Sequence, residues 1–253
     1  MAATDLLDDA QLLFERAQAH NRELGRLFGA GAGLLWNIGR STSPDGQHRA
    51  ELRIDRDVQR RAKPILADVA NNLVHALDHV TAAARKSAGL PNPRNLYFSI
   101  EQDDAAYAKA IGEKVAPHLE PAWIDIFAAA REAHRPYLLY LQLVRVLSRE
   151  AKHWELATGT AGALAVQWFP PGSQQHKIVE MPADHFAAND SYPIWEAAEP
   201  FPNVGVQIVT SYRVAGQGID NAALDSVLST SFTFVAGVIA KSREHLATLH
   251  PSN

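Results

Sequence analysis

Residues 64–87, PILADVANNLVHALDHVTAAARKS, decide how the chain is read. Ile65, Val69, Leu73, Leu77, Val80 and Ala84 recur at three- and four-residue steps, the repeat of one helical face. Pro64 suits a first helical turn, where its missing N–H has no partner to lose. The spacing predicts a long helix from Pro64 to about Ser87. The same segment carries Asp68, Asn72, His75 and His79 at offsets of 4, 3 and 4, which makes a polar stripe with Asp78 beside it.

Toward the N-terminus, apolar residues from Leu6 to Phe28 keep helical spacing until the run Gly29-Ala30-Gly31-Ala32-Gly33 stops them. That run follows a helix rather than a strand, so it is not a dinucleotide-binding turn. Residues 34–40 and 47–55 flank Ser43-Pro44-Asp45-Gly46, whose chemistry favours a tight turn and a β-hairpin.

Toward the C-terminus, Pro91-Asn92-Pro93 marks a loop and residues 97–100 a short strand. Helices are predicted from Asp103 or Asp104 to about Val115, from Pro121 to about Ala133, and from Pro136 to about Leu156. After Thr158-Gly159 the β-prone segments 163–169, 177–181 and 204–214 alternate with Pro- and Gly-rich stretches, and a last helix spans residues 220–249. Trp168, Phe169, Tyr192, Trp195 and Phe201 are read as packing residues of this β segment.

The fold class is therefore α+β: a helical bundle core with an N-terminal β-hairpin and a C-terminal antiparallel β segment followed by a long helix. Residues 1–253 are read as a single domain with one candidate sub-boundary near 158, between a helical part with hairpin (1–157) and a β segment plus C-terminal helix (158–253).

Composition narrows the function classes. A net charge of −4 with both signs interspersed gives no global cation field of the kind that drives nonspecific nucleic-acid binding. The absence of Cys removes disulfides, thiolate nucleophiles and cysteine zinc sites. The acidic start lacks the basic and apolar regions of a secretory signal. The most apolar later stretch, 227–240, is broken by Ser229, Thr230, Ser231 and Thr233 and is too short for a bilayer. A cytoplasmic protein without a membrane span is expected.

A second polar stripe, Arg145, Arg149 and His153, has Gln142 and Lys152 alongside. Two antiparallel helices bringing the stripes together would gather carboxylates, an amide, imidazoles and cations into a cluster able to position a phosphate or shuttle protons. Two solvated faces explain the same stripes without chemistry. His75-Ala76-Leu77-Asp78-His79 also approaches the inverted zinc motif H-x-x-E-H, so His75 and His79 are candidate ligands for Zn or Mn, although Asp replaces Glu and no third ligand is evident. No other cofactor is implied.

Taken together, Asn72-Leu73-Val74-His75-Ala76-Leu77-Asp78-His79, Tyr97-Phe98-Ser99-Ile100, Arg135-Pro136-Tyr137 and Ala151-Lys152-His153-Trp154 resemble an uncharacterised bacterial family, over residues 10–157. That family has an N-L-R-S-A-L-D-H-like helix, a Q-P-Y segment and a later D-K-H-R-like helix. Asn72, Asp78, His79, Lys152 and His153 match it; Val74 stands in place of Arg, Ala151 in place of Asp and Trp154 in place of Arg. The family's helix is itself similar to the R-x(4-6)-H motif of HEPN ribonucleases, which Val74 breaks here. Arg243 and His250 fit that spacing at a frequency expected by chance.

Three readings follow. In the first, implied by the resemblance, the chain is a divergent HEPN-like protein acting on RNA in a toxin or phage-defence setting, as a homodimer in the manner of those proteins. His79 and His153 would be its acid/base pair, Asn72 and Asp78 would orient them, and Arg145, Arg149 and Lys152 would hold phosphate. In the second, the same residues form a structural polar network in a non-catalytic binding or assembly module with a protein or other partner. In the third, His75, Asp78 and His79 serve a metal-dependent hydrolase.

Overall fold

Asp55, not Pro64, starts the longest helix. The computed structural model describes residues 6–28, 35–91, 96–153, 159–182, 184–216 and 219–249, so the Gly29–Gly33 stop, most of the Pro91-Asn92-Pro93 loop, Trp154 and His250 lie outside the described residues. After α1 (Asp8–Phe28), β1 (Trp36–Thr42) and β2 (His48–Ile54), helix α2 runs Arg56–Ser87. The Asp55 carboxylate accepts from the N–H groups of Asp57 and Val58 at 2.9 and 3.0 Å, capping donors that the helix cannot satisfy itself. Pro64 thus lies inside α2. Both it and Arg60, whose carbonyl loses a partner, are exposed, where the loss costs least.

The remaining elements are α3 (Asp104–Ala110), a π-turn (Ile111–Val115), α4 (Pro121–Ala133), α5 (Leu138–His153), β3 (Gly159–Trp168), β4 (Lys177–Glu180), α6 (His185–Ala188), β5 (Ser191–Ala197), β6 (Val206–Gly216), β7 (Ile219–Ala223) and α7 (Leu224–Leu249). The architecture is α+β, with an N-terminal hairpin, antiparallel strands and a long last helix. By its contacts the chain divides into two units: Met1–Asn21 with Leu66–Ala157 and Ala215–Asn253, and Arg22–Ile65 with Thr158–Val214.

The sheet unit is held by strands far apart in sequence. In the hairpin Trp36 lies opposite Ile54 and Thr42 opposite His48. Gly46 takes φ +82° in the turn, a conformation that favours glycine. On the other side of β2, β5 pairs antiparallel with Arg53 opposite Ser191. The sequence reading contains no strand at β5 because Pro193 interrupts it; at a sheet edge that proline removes no ladder bond. In the second sheet β3 pairs antiparallel with β4 and with β6. Trp168, Trp195 and Phe201 meet edge to face with centroids 5.1–6.3 Å apart, whereas Phe169 is exposed.

The helical unit packs α4 and α5 on α7. By length and composition α7 is apolar enough to cross a membrane, with mean hydropathy 1.2 in its most apolar window, of which 44% is buried. A buried core helix passes the same test, and Val227, Phe234, Val238 and Leu246 of α7 are buried here.

The short strand expected over 97–100 is absent. The residues form an irregular strap, whose Phe98 N–H donates to the Asp78 carboxylate at 3.0 Å rather than to a neighbouring strand. Phe98 is buried, 4.7 Å from the Phe127 ring and 5.8 Å from that of Phe234. Its own side chain and one carboxylate of α2 thus hold Phe98 in place, and the irregular strap continues through Glu101.

Candidate functional site

An α-helix advances by about 100° per residue, so a stripe displaced by one position faces a different neighbour. This decides the site. Val74, Leu77 and Asp78 of α2 share a cleft with Gln142, Arg145, Val146, Ser148 and Arg149 of α5, and the strap supplies Tyr97, Phe98, Ile100 and Glu101. The cleft measures about 610 Å³. Deeper in the same helix pair, Ser148 Oγ donates to Asn71 Oδ1 at 2.7 Å. The described α2 side chains turned toward α5 thus include Asn71, Val74, Leu77 and Asp78, a face displaced from the Asn72, His75, His79 stripe.

The α2 candidates separate accordingly. Asn72 is buried, and its Nδ2 donates to the Asp68 carbonyl one turn back at 2.7 Å, a bond within its own helix. His79 is exposed with Nδ1 3.5 Å from Asp9 Oδ2 of α1. His75 is half-buried, and neither imidazole is among the described residues lining the cleft. Asp78 does line it, while holding the strap through Phe98.

On α5, Arg145 and Arg149 both line the cleft. Lys152 and His153 belong to the last turn of α5, but their side chains lie outside the described residues. Arg145 Nη1 stands 3.6 Å from Glu101 Oε1. That is longer than the 2.7–2.9 Å of a charge-assisted hydrogen bond, so the pair is loose. Arg149 is exposed and has no carboxylate at ion-pair distance among the described residues. Among those residues no group of three His, Asp or Glu is placed to hold a metal ion, so His75 and His79 have no third ligand there for Zn or Mn.

A buried arginine fixes the floor of the strap. Arg131 is 7% exposed; its Nε donates to the Glu101 carbonyl at 3.1 Å and its Nη2 to that of Gln102 at 3.0 Å. It also pairs with Asp104 at 2.8 Å and lies 4.4 Å over the Tyr107 ring. The hydrogen bond from Arg131, joined by Arg135, holds the Asp104 carboxyl below the usual carboxylate range, and burial pushes the Tyr107 hydroxyl up. Beyond the strap a second cleft, about 590 Å³, shares Tyr97, Phe98, Glu101 and Arg145 with the first and adds Lys114 and His118.

No protein-family model, curated protein or solved structure matches this chain. The site is therefore read from its own geometry.

Asp78, Arg145 and Arg149 are among the candidates predicted from sequence, whereas Asn71, Glu101, Arg131 and Ser148 are not. Arg131 carried a signal, since Trp123, Phe127 and Arg131 share one face of α4 at four-residue spacing, and a cation on an apolar face calls for buried acceptors. Glu101 carried none, because the strap that presents it has no periodicity to read.

Proposed function

We propose that the chain is a small-molecule binding module, and that the cleft between α2, α5 and the strap takes a ligand joining one anionic group to an apolar body. One observation carries the reading: Arg149, without a carboxylate partner among the described residues, shares a cleft with Val74, Leu77, Ile100 and Val146. Guanidinium groups match carboxylates and phosphates through paired donors, and the aliphatic and aromatic lining suits a hydrophobic body. The cleft's volume of about 610 Å³ falls in the range of small-molecule sites.

The acids of the cleft do not oppose this. Asp78 is engaged by the Phe98 N–H, and Glu101 faces Arg145. The hydrolytic readings have less support, since the imidazoles of α2 are not among the described lining residues and His79 stands beside Asp9. A general acid must reach the bond it protonates.

The test uses two fluorescent probes with one aromatic body. 8-Anilinonaphthalene-1-sulfonate carries an anionic group and N-phenyl-1-naphthylamine lacks it. The folded protein should bind the sulfonate saturably at one site. Arg149→Ala should weaken it about tenfold, the worth of one charge-assisted hydrogen bond, and leave the neutral probe unchanged. Equal binding of the sulfonate by both proteins overturns the reading. Cleavage of labelled RNA that is lost in both His79→Ala and His153→Ala replaces it with the ribonuclease reading.

A further inference from the structure

Arg145 is the second cation of the cleft, and something already occupies it. Glu101 approaches its guanidinium to 3.6 Å, with side chains 33% and 41% exposed, so water reaches the pair and no burial locks it shut. The backbone beneath Glu101 is immobilised all the same. Arg131, nearly buried, holds the carbonyls of Glu101 and Gln102 and is itself braced by Asp104 and the Tyr107 ring. A carboxylate on a fixed backbone moves only through its own side-chain torsions, which keeps it at high effective concentration beside Arg145.

Glu101 also has somewhere to go. It and Arg145 line both clefts, and the second cleft, about 590 Å³, contains Lys114. The other acid of the first cleft cannot play the same part, because Asp78 is tied to the strap through the Phe98 N–H.

We infer that Glu101 is a tethered competitor for the ligand's anionic group, a specificity-determining residue that occupies Arg145 until a ligand anion displaces it. This rests on the small-molecule reading above and adds to it. The cleft then discriminates by charge: a neutral body gains nothing at Arg145, whereas an anion gains the guanidinium at the expense of an existing ion pair. Removing the Glu101 charge should therefore strengthen anion binding.

Titration of the two probes into wild type, Glu101→Gln, Glu101→Ala and Glu113→Gln tests this. Glu113 is an exposed acid of the second cleft and is not among the described residues lining the first, so its variant makes the same change in net charge outside the ligand's cleft. Both Glu101 variants should bind the sulfonate roughly two- to fivefold more tightly, the range set by a half-exposed ion pair. The neutral probe should not respond, and Glu113→Gln should match wild type. Unchanged or weaker sulfonate binding by the Glu101 variants, with Arg149-dependent binding intact in wild type, overturns the competitor and leaves the small-molecule reading standing. An equal gain in Glu113→Gln also overturns it, because bulk charge then explains the effect. Absence of sulfonate binding by wild type and Glu101 variants alike overturns both.

Discussion

Replacing Asp78 by Ala should unfasten the strap, while replacing it by Asn should not. The Asp78 carboxylate accepts from the Phe98 N–H at 3.0 Å, and Phe98 is 4% exposed between Phe127 and Phe234. Alanine leaves that part-buried amide without its acceptor, a cost of about 1–3 kcal/mol. If the strap lifts to find water, Phe98 loses burial worth about 1.5–3 kcal/mol instead, so relaxation does not escape the penalty. A net loss of about 2 kcal/mol corresponds to a fall in Tm of roughly 4–8 °C for a chain of this size. The amide oxygen of Asn can accept the same bond, so Asp78→Asn should melt within about 2 °C of wild type. Thermal melts of the three proteins, with hydrogen exchange at the Phe98 amide, make the comparison. Exchange should quicken in the Ala variant only. A Tm for Asp78→Asn as low as that of Asp78→Ala would refute the reasoning, because the negative charge rather than the acceptor would then hold the strap.

Two further outcomes follow from the arginine beneath the strap. Arg131→Met should cost about 3 kcal/mol in urea unfolding, since two carbonyls lose charged donors, whereas Arg135→Met, on the exposed side of Asp104, should keep the urea midpoint of wild type; similar losses would remove Arg131 as the clamp. The lowered Asp104 carboxyl predicts a direction with pH. The folded state binds fewer protons there than the unfolded state, so the contribution is present above about pH 4 and is lost as pH falls further. Wild type should therefore melt above Asp104→Asn at neutral pH, and the gap should narrow as pH falls below about 4; a gap constant with pH would contradict the assignment.

The sequence by itself determined the helices of the bundle and the hairpin. Apolar spacing over Ile65 to Ala84 and the turn at Ser43-Pro44-Asp45-Gly46 are local signals that act before any tertiary contact. It also brought Asp78, Arg145 and Arg149 to notice, since charged residues at helical spacing are visible without a structure. Which face of α2 meets α5 was a tertiary matter. The spacing shows that 71, 74 and 78 share one side and 72, 75 and 79 another, but only the position of α5 selects between them. The strap was decided the same way: residues 97–100 have strand-like composition, yet Asp78 satisfies the Phe98 amide and the Phe127 and Phe234 rings take its side chain, so no strand forms. The partner of β2 and the acceptors of Arg131 likewise come from distant parts of the chain, where local pattern carries no information.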